Sequence, residues 1–190
     1  MKAFDFFTGS GYYAELMANV VGDKGHVIAH NPPKFYEMFE SARGWIDGRQ
    51  KDNRLPNVSF IDEQSDALKV PSNSVDLVMA HLVLHDAYWI GGIPEQTLAE
   101  FYRILKPGGV IVVIDHAAVK GSGASHALEQ KGIHRIEEDF VVKSLEKVGF
   151  KLQSSSDAFR NKQDDRTQAF FSESLKGKKT DRFMVKLVKP

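Results

Sequence analysis

Five β-branched residues in succession, Val110-Ile111-Val112-Val113-Ile114, constrain this chain more than any other stretch. A half-exposed strand alternates apolar and polar residues, so an unbroken apolar run belongs at the centre of a parallel sheet covered on both faces. A helix is predicted just ahead of it, over Pro94 to Leu105, with Leu98, Phe101, Ile104 and Leu105 on one face. Lys106-Pro107-Gly108-Gly109 then stops that helix. The alternation recurs elsewhere. Lys2 to Phe7 reads as a strand breaking at Thr8-Gly9-Ser10-Gly11, and Tyr12 to Val21 carries Leu16, Met17, Val20 and Val21 at helical spacing. Further strands are expected at Val27 to Ala29, Val58 to Ile61, Val75 to Leu82, Phe150 to Ser154 and Phe183 to Val188. Helices are expected from Pro33 to about Arg43 and from Glu137 to Val148, with an irregular loop containing a helical piece over Gly44 to Asn57. The order β-α-β-α-β-α-β-α-β-α-β-β predicts an α/β sandwich around a mostly parallel sheet.

Composition bounds what such a sandwich does. At 190 residues and 42% apolar the chain supports one full core and one domain, residues 1–190. The 25 basic and 25 acidic residues cancel, which argues against a dedicated nucleic-acid binder. Residues 160–190 carry 9 Lys+Arg against 4 Asp+Glu, a local +5 that lies partly on the final strand and partly on a loop, so a solvated face is expected there. Without cysteine there is no disulfide, thiol nucleophile or thiolate metal site. No apolar run approaches the ~18 residues of a membrane span. The start of the chain also lacks a signal peptide's long apolar region, and a cytoplasmic protein with no membrane partner is expected.

In open parallel sheets, ligands bind beyond the carboxyl ends of the strands. Here those ends carry, in order, Gly9 and Gly11; His30 and Asn31; Asp62 and Asp66; His81, His85 and Asp86; and Asp115 and His116. Four of the seven histidines therefore point to one edge. The Gly9/Gly11 turn opens a helix, where glycine lets backbone approach a ligand and free N–H groups face a polar one. Neither the dinucleotide fingerprint nor the GxxxxGK[ST] phosphate loop is present, since position 7 is Phe and position 14 is Ala. His81-x-x-x-His85 would put two imidazoles on one helical face, with Asp86, Asp115 or His116 as a third ligand, but that spacing loses its meaning if His81 ends a strand. No metal is expected. Tyr88-Trp89-Ile90-Gly91-Gly92 suits either a lid over an acceptor or packing against the next helix. His134 and Arg135, with Arg160 and Arg166, either clamp an anionic substrate or anchor loops through ion pairs.

Asp5 to Tyr12, Val27-Ile28-Ala29-His30-Asn31, Val75-Asp76-Leu77-Val78 and above all Leu105-Lys106-Pro107-Gly108-Gly109 resemble class I S-adenosylmethionine-dependent methyltransferases over residues 1–155. A group of uncharacterised predicted methyltransferases is similar through His134-Arg135-Ile136, Glu146-x-x-Gly149-Phe150, Arg160-Asn161-x-x-Asp164-Asp165-Arg166-Thr167 and Gly177-Lys178-x-x-Asp181-x-Phe183, almost the whole chain.

The resemblance implies a Rossmann-like methyltransferase sandwich, a seven-stranded sheet with an antiparallel last strand and helices on both faces. It implies S-adenosyl-L-methionine as cofactor and a small-molecule acceptor reacting through oxygen or nitrogen. Asp5, Gly9, Gly11 and Tyr12 would line the methionine end, and His30 and Asn31 the ribose, where the family usually has an acidic residue. Asp66, or Asp62, would sit near the adenine amino group, and His81 near the methyl donor. Methyl transfer needs alignment and exclusion of water more than covalent help. A base for the acceptor is sought among His81, His85, Asp86, Asp115 and His116. Two departures, Phe7 for the first glycine of the motif and Asn31 for the acidic residue, keep open a non-catalytic binding protein. A nicotinamide-dependent oxidoreductase is a weaker alternative, lacking a Tyr-x-x-x-Lys pair. The resemblance usually brings helices ahead of the first strand, whereas this sequence enters its glycine turn by residue 9, so a second copy covering that side, a more open pocket, or a start and export signal lying upstream are the alternatives expected.

Overall fold

A computed structural model describes residues 1–90, 92–127 and 132–190. In chain order the elements are β1 (Lys2–Phe6), α1 (Tyr12–Val21), β2 (His26–His30), α2 (Pro33–Met38), α3 (Ala42–Gln50), β3 (Val58–Ile61), β4 (Val75–His81), α4 (Pro94–Ile104), β5 (Leu105–His116), α5 (Glu138–Lys147), β6 (Lys151–Ser156) and β7 (Arg182–Val188). The seven strands form one sheet in the order β3-β2-β1-β4-β5-β7-β6. β1 to β5 are mutually parallel, while β7 runs antiparallel to both its neighbours. This is the mixed, mostly parallel sheet with helices on both faces that the resemblance implied. No described helix is long and apolar enough to cross a membrane.

The run at Val110 to Ile114 lies in β5, between β4 and β7. One face of the sheet holds most of the core. There Phe4, Phe6, Val78, Ile111 and Val113 meet Leu98 and Phe101 of α4 and Val141 and Leu145 of α5. Full burial of a phenylalanine such as Phe101 contributes roughly 1.5–3 kcal/mol. On the other face only small residues allow close approach, and Ala14 and Ala18 seat α1 on Ala3, Val27 and Ala29.

Several expectations are corrected. The apolar residues of α1 do not define its buried stripe: Leu16 is 42% and Val20 81% exposed. With Met1, Met17, Leu77 and Met79 they line an open apolar groove of about 240 Å³. No helix separates β3 from β4, since residues 62–74 are turns and irregular chain. The helix expected from Pro33 to Arg43 breaks at Phe39, whose backbone leaves the helical region, and restarts as α3, which buries Ala42 and Ile46. Lys106-Pro107-Gly108-Gly109 does not separate helix from strand but lies within β5, which starts at Leu105 with a register shift against β4.

Candidate active site

The turn after β1 is the tightest feature of the strand-end edge. Phe7, Gly9 and Gly11 all have positive φ, at 49°, 60° and 81°. Phe7 thus takes the backbone conformation that a glycine at this position would supply, at a steric cost. Its ring offsets this by stacking on Phe6 at 4.2 Å and burying almost completely. Gly9 faces open space, with nothing within 4 Å of where a Cβ would lie, and Gly11 caps α1 without a side-chain partner. Asn31 holds this turn. Its Oδ1 accepts the Gly9 N–H at 2.9 Å and its Nδ2 donates to the Gly9 carbonyl at 3.0 Å. Fully buried, it is spent on the turn rather than turned outward. Asp5 is also buried and accepts a hydrogen bond from the Thr8 hydroxyl at 2.5 Å. Burial pushes its carboxyl up to about 7, against the pull of Thr8 and of the Ala14 N–H. His30 lies in the core between Phe4 and Phe6, its Nε2 bonded to the Glu63 carbonyl at 2.8 Å. Burial lowers it to about 4, so it packs as a neutral ring. Tyr12 is exposed on the first turn of α1.

The carboxyl ends of β4 and β5 bring a second cluster together. His81 stacks on Tyr13 at 3.9 Å, with its Nε2 2.9 Å from the tyrosine hydroxyl. Burial, aided by the charge of Arg182, brings His81 down to about 4. His85 sits in a short 3-10 turn over residues 85–88 and is enclosed by two carboxylates. Asp115 takes Nδ1 at 2.7 Å and the His85 backbone N–H at 3.0 Å, and Asp86 lies 3.2 Å from Nε2. Burial alone would lower His85, but Asp115 and Asp86 together push it up to about 10. Asp86 is held low by His85, His134 and Trp89, which outweigh its own burial. His116 bonds Thr180 through Nδ1 at 2.6 Å and stacks flat on Phe170 at 4.8 Å. Burial lowers it to about 3.

Sequence reasoning missed Tyr13, Phe170, Phe171, Thr180 and Arg182. Because β7 is antiparallel, its first residue arrives at the edge where β4 and β5 end, and Arg182 pairs in register with His116. Its charge reaches His81, His116 and Tyr13. Among the described residues no carboxylate forms an ion pair with it. The expected reversal of the last strand was the available signal: a reversed strand contributes its start, not its end. Beside Arg182 lies a cavity of about 360 Å³ lined by His116, Phe170, Phe171, Lys178 and Thr180.

Other candidates lie elsewhere or are engaged. Asp66 accepts the Ile93 N–H at 2.9 Å and so fixes the entry to α4. Asp62 is half-exposed, pairs with Arg43 at 3.4 Å, and lines a cavity of about 220 Å³ with Tyr36 and Phe60. Arg135 is fully buried and donates to the carbonyls of Gln168 and Ala117 and to Asp164, which makes it a loop anchor. Arg160 pairs with Glu138 and Asp181, and Arg166 pairs with Asp181 at 2.9 Å. Tyr88 packs on Phe140 of α5, while the Trp89 Nε1–H bonds Asp86 at 2.9 Å and its ring meets His134 edge-on. Packing, rather than an exposed lid, is what these two aromatics do; Gly91 lies outside the described residues.

The sequence profile of a family described as "Methyltransferase domain" matches residues 4–113. Over 117 residues the chain is 32% identical to a demethylmenaquinone methyltransferase of Listeria welshimeri, covering 60% of this chain and 44% of that protein. Over 161 residues it is 24% identical to the ubiquinone/menaquinone biosynthesis C-methyltransferase UbiE of Shewanella frigidimarina, covering 84% and 56%. The chain thus spans about half the length of these curated relatives. A SAM dependent methyltransferase from Aquifex aeolicus shares the fold, with a TM-score of 0.70 at 19% identity, covering all of this chain and 82% of that one. The profile runs from β1 through most of β5 and takes in the glycine turn, which leaves no basis for the nicotinamide reading; the chain belongs to the methyltransferase-domain family.

Proposed function

We propose that the protein transfers the methyl group of S-adenosylmethionine to a small, anionic acceptor bound beside Arg182. The observation that carries this reading is the Phe7–Gly11 turn, with three positive-φ residues, open space over Gly9 and an uncapped helix start. The Gly9 and Gly11 N–H groups are taken by Asn31 and the Thr8 carbonyl, so the turn serves a ligand by letting it approach over Gly9, and the uncapped start of α1 is what offers it donors. Gly9, Gly11 and Tyr12 would hold the methionine end. Asp5 acts by fixing the turn, because its carboxyl is already bonded within it. Asn31 likewise supports the turn, so the ribose falls to Tyr36 and Asp62 beside the neighbouring cavity.

The bound cofactor supplies an electrophilic methyl on a cationic sulfur. Around it the chain offers neutral imidazoles: His81 and His116, both lowered by burial, add no repulsion to that charge near neutral pH. Arg182 favours an acceptor that arrives already ionised, which removes the need for a dedicated base. His85, held protonated by its two carboxylates, fixes the loop after β4 to β5 rather than taking a proton. Phe170 and Phe171 suit a planar acceptor, such as a phenolate reacting at oxygen. The names of the two relatives, both tied to quinone biosynthesis, agree with an aromatic acceptor and add carbon as a third possible nucleophile.

Calorimetry should show S-adenosylmethionine or S-adenosylhomocysteine binding with Kd below about 100 μM, near −5.5 kcal/mol, and Gly9→Val should abolish it. A folded chain that binds neither ligand overturns the proposal. A binding protein without catalysis remains the second reading, favoured by the buried commitment of Asn31. Transfer of labelled methyl to a panel of phenolic and carboxylic acids separates the two. A second copy is the partner we propose for the apolar groove along α1 and β4, by a two-fold contact of like surfaces. Sedimentation should show a dimer that Met79→Glu returns to monomer.

A further inference from the structure

We propose that His85, Asp86 and His134 form a binding site for one divalent transition-metal ion at the acceptor end of the edge. The three side chains come from the turn after β4 and from the loop before α5, and sequence spacing does not connect them. Their ligand-type atoms lie within 4.8 Å of one another, the one such group of three among the described residues. The His85 Nε2 is 3.2 Å and the His134 Nδ1 3.5 Å from the same oxygen of Asp86. Two ligands bound to zinc at about 2.1 Å in tetrahedral geometry stand about 3.4 Å apart, so both contacts to Asp86 already match, and the two imidazoles, within 4.8 Å of each other, would turn in towards the ion.

The surroundings are arranged as for a metal ligand. Asp115 is fully buried, and its carboxylate takes His85 through Nδ1 at 2.7 Å. That bond fixes the ring and leaves Nε2 facing Asp86, the carboxylate–histidine pairing that orients metal-bound imidazoles, and an ion would take the place of the Nε2 proton that otherwise faces Asp86. The Trp89 Nε1–H steadies the Asp86 carboxylate at 2.9 Å. His134 is held edge-on by Trp89, Phe170 and Phe171. Two imidazoles and one carboxylate suit zinc, iron, manganese or cobalt, and leave a coordination position open. Phe170 and Phe171, which His134 meets edge-on, also line the cavity beside His116, so the three ligands lie behind the aromatic wall of the proposed acceptor cavity. This use rests on the methyl-transfer reading: an ion there would bind the ionised acceptor atom alongside Arg182. The site itself stands on the three side chains alone.

The His81-x-x-x-His85 pair weighed from the sequence plays no part. His81 ends β4 and is occupied by Tyr13, while His85 turns inward to Asp115. His134, forty-eight or more positions from the other two, supplies what no local pattern could.

The test uses chelator-treated protein titrated with Zn²⁺ against a chromophoric competitor, and with Co²⁺ for its visible ligand-field bands. One equivalent of each should bind. His134→Ala, at a partly exposed loop position, should keep the fold and weaken Zn²⁺ at least tenfold. Asp86→Asn should weaken it as well and alter the cobalt bands. Absence of binding, or equal affinity in wild type and His134→Ala, overturns the site. Calorimetry with S-adenosylmethionine on the same metal-free samples is read separately. Cofactor binding without metal binding removes the site and keeps the proposed function; metal binding without cofactor binding does the reverse.

Discussion

Asn31 shows one side chain doing the work of a backbone partner. Its amide accepts from and donates to the same Gly9 peptide, as a neighbouring strand would. An aspartate there would match the family's usual residue but could not donate, and would face the Gly9 carbonyl with a charge. Asn31→Asp should therefore destabilise the fold by about 1–3 kcal/mol, seen as a lower Tm, and should not tighten S-adenosylmethionine; tighter binding at unchanged Tm would refute this account. Asp5 and His30 make opposite demands on pH. The carboxyl of Asp5, raised to about 7, keeps its proton in the folded state after the unfolded chain has lost it. Its contribution is complete below about pH 4 and is lost as pH rises through 7. His30, lowered to about 4, contributes above its ordinary value near 6.5 and loses that as pH falls through 4. The two slopes oppose each other between about pH 4 and 6.5. Asp5→Asn should remove one, so that stability by urea unfolding climbs more steeply over that window than in the wild type. An unchanged slope would show that Asp5 is not held protonated.

At the scale of elements, what the sequence disclosed follows its regularity. The β-branched run of β5, the strand ends and the glycine turn could be read because each is a local pattern with a local cause. The inner face of α1 could not. Its larger residues suggested the stripe Leu16, Met17, Val20 and Val21, yet packing selected Ala14 and Ala18, since only small side chains let the helix lie close on β1 and β2. The edge histidines were visible as a group, but their separate fates depend on distant partners: Glu63 for His30, Tyr13 for His81, Asp115 for His85 and Thr180 for His116. The same holds for Arg135, whose pairing with Asp164 ties the start of α5 to the long loop before β7. Arg135→Met should cost about 3–5 kcal/mol by leaving Asp164 buried without its cation. The loop carrying Phe170 and Phe171 should then become protease-sensitive. Stability within experimental error of wild type would show that the remaining bonds of Asp164, to the N–H groups of Arg166 and Asp181, suffice.

Across the whole molecule, the proposed cofactor and acceptor sites draw on different parts of the chain. The turn after β1 is made near the start, and the acceptor cavity is made by residues beyond 115. Arg182→Gln should therefore lower kcat/KM for an anionic acceptor by about 10- to 100-fold, the loss of one charged hydrogen bond, and leave the Kd for S-adenosylmethionine unchanged. A parallel loss of cofactor affinity would place Arg182 in the wrong half of the site. The reversal of β7 has a further effect. Arg182 is located from behind, by Phe183, Val185 and Leu187 locked in register against β5, and from in front by the preceding loop, where its Nε donates to the Thr180 hydroxyl at 3.2 Å. On the proposed reading, the charge that meets an acceptor comes from the first residue of a reversed strand and the acceptor's outline from Phe170 and Phe171 in the loop before it, so substitutions at the two phenylalanines would change which shapes are accepted while the cation stays.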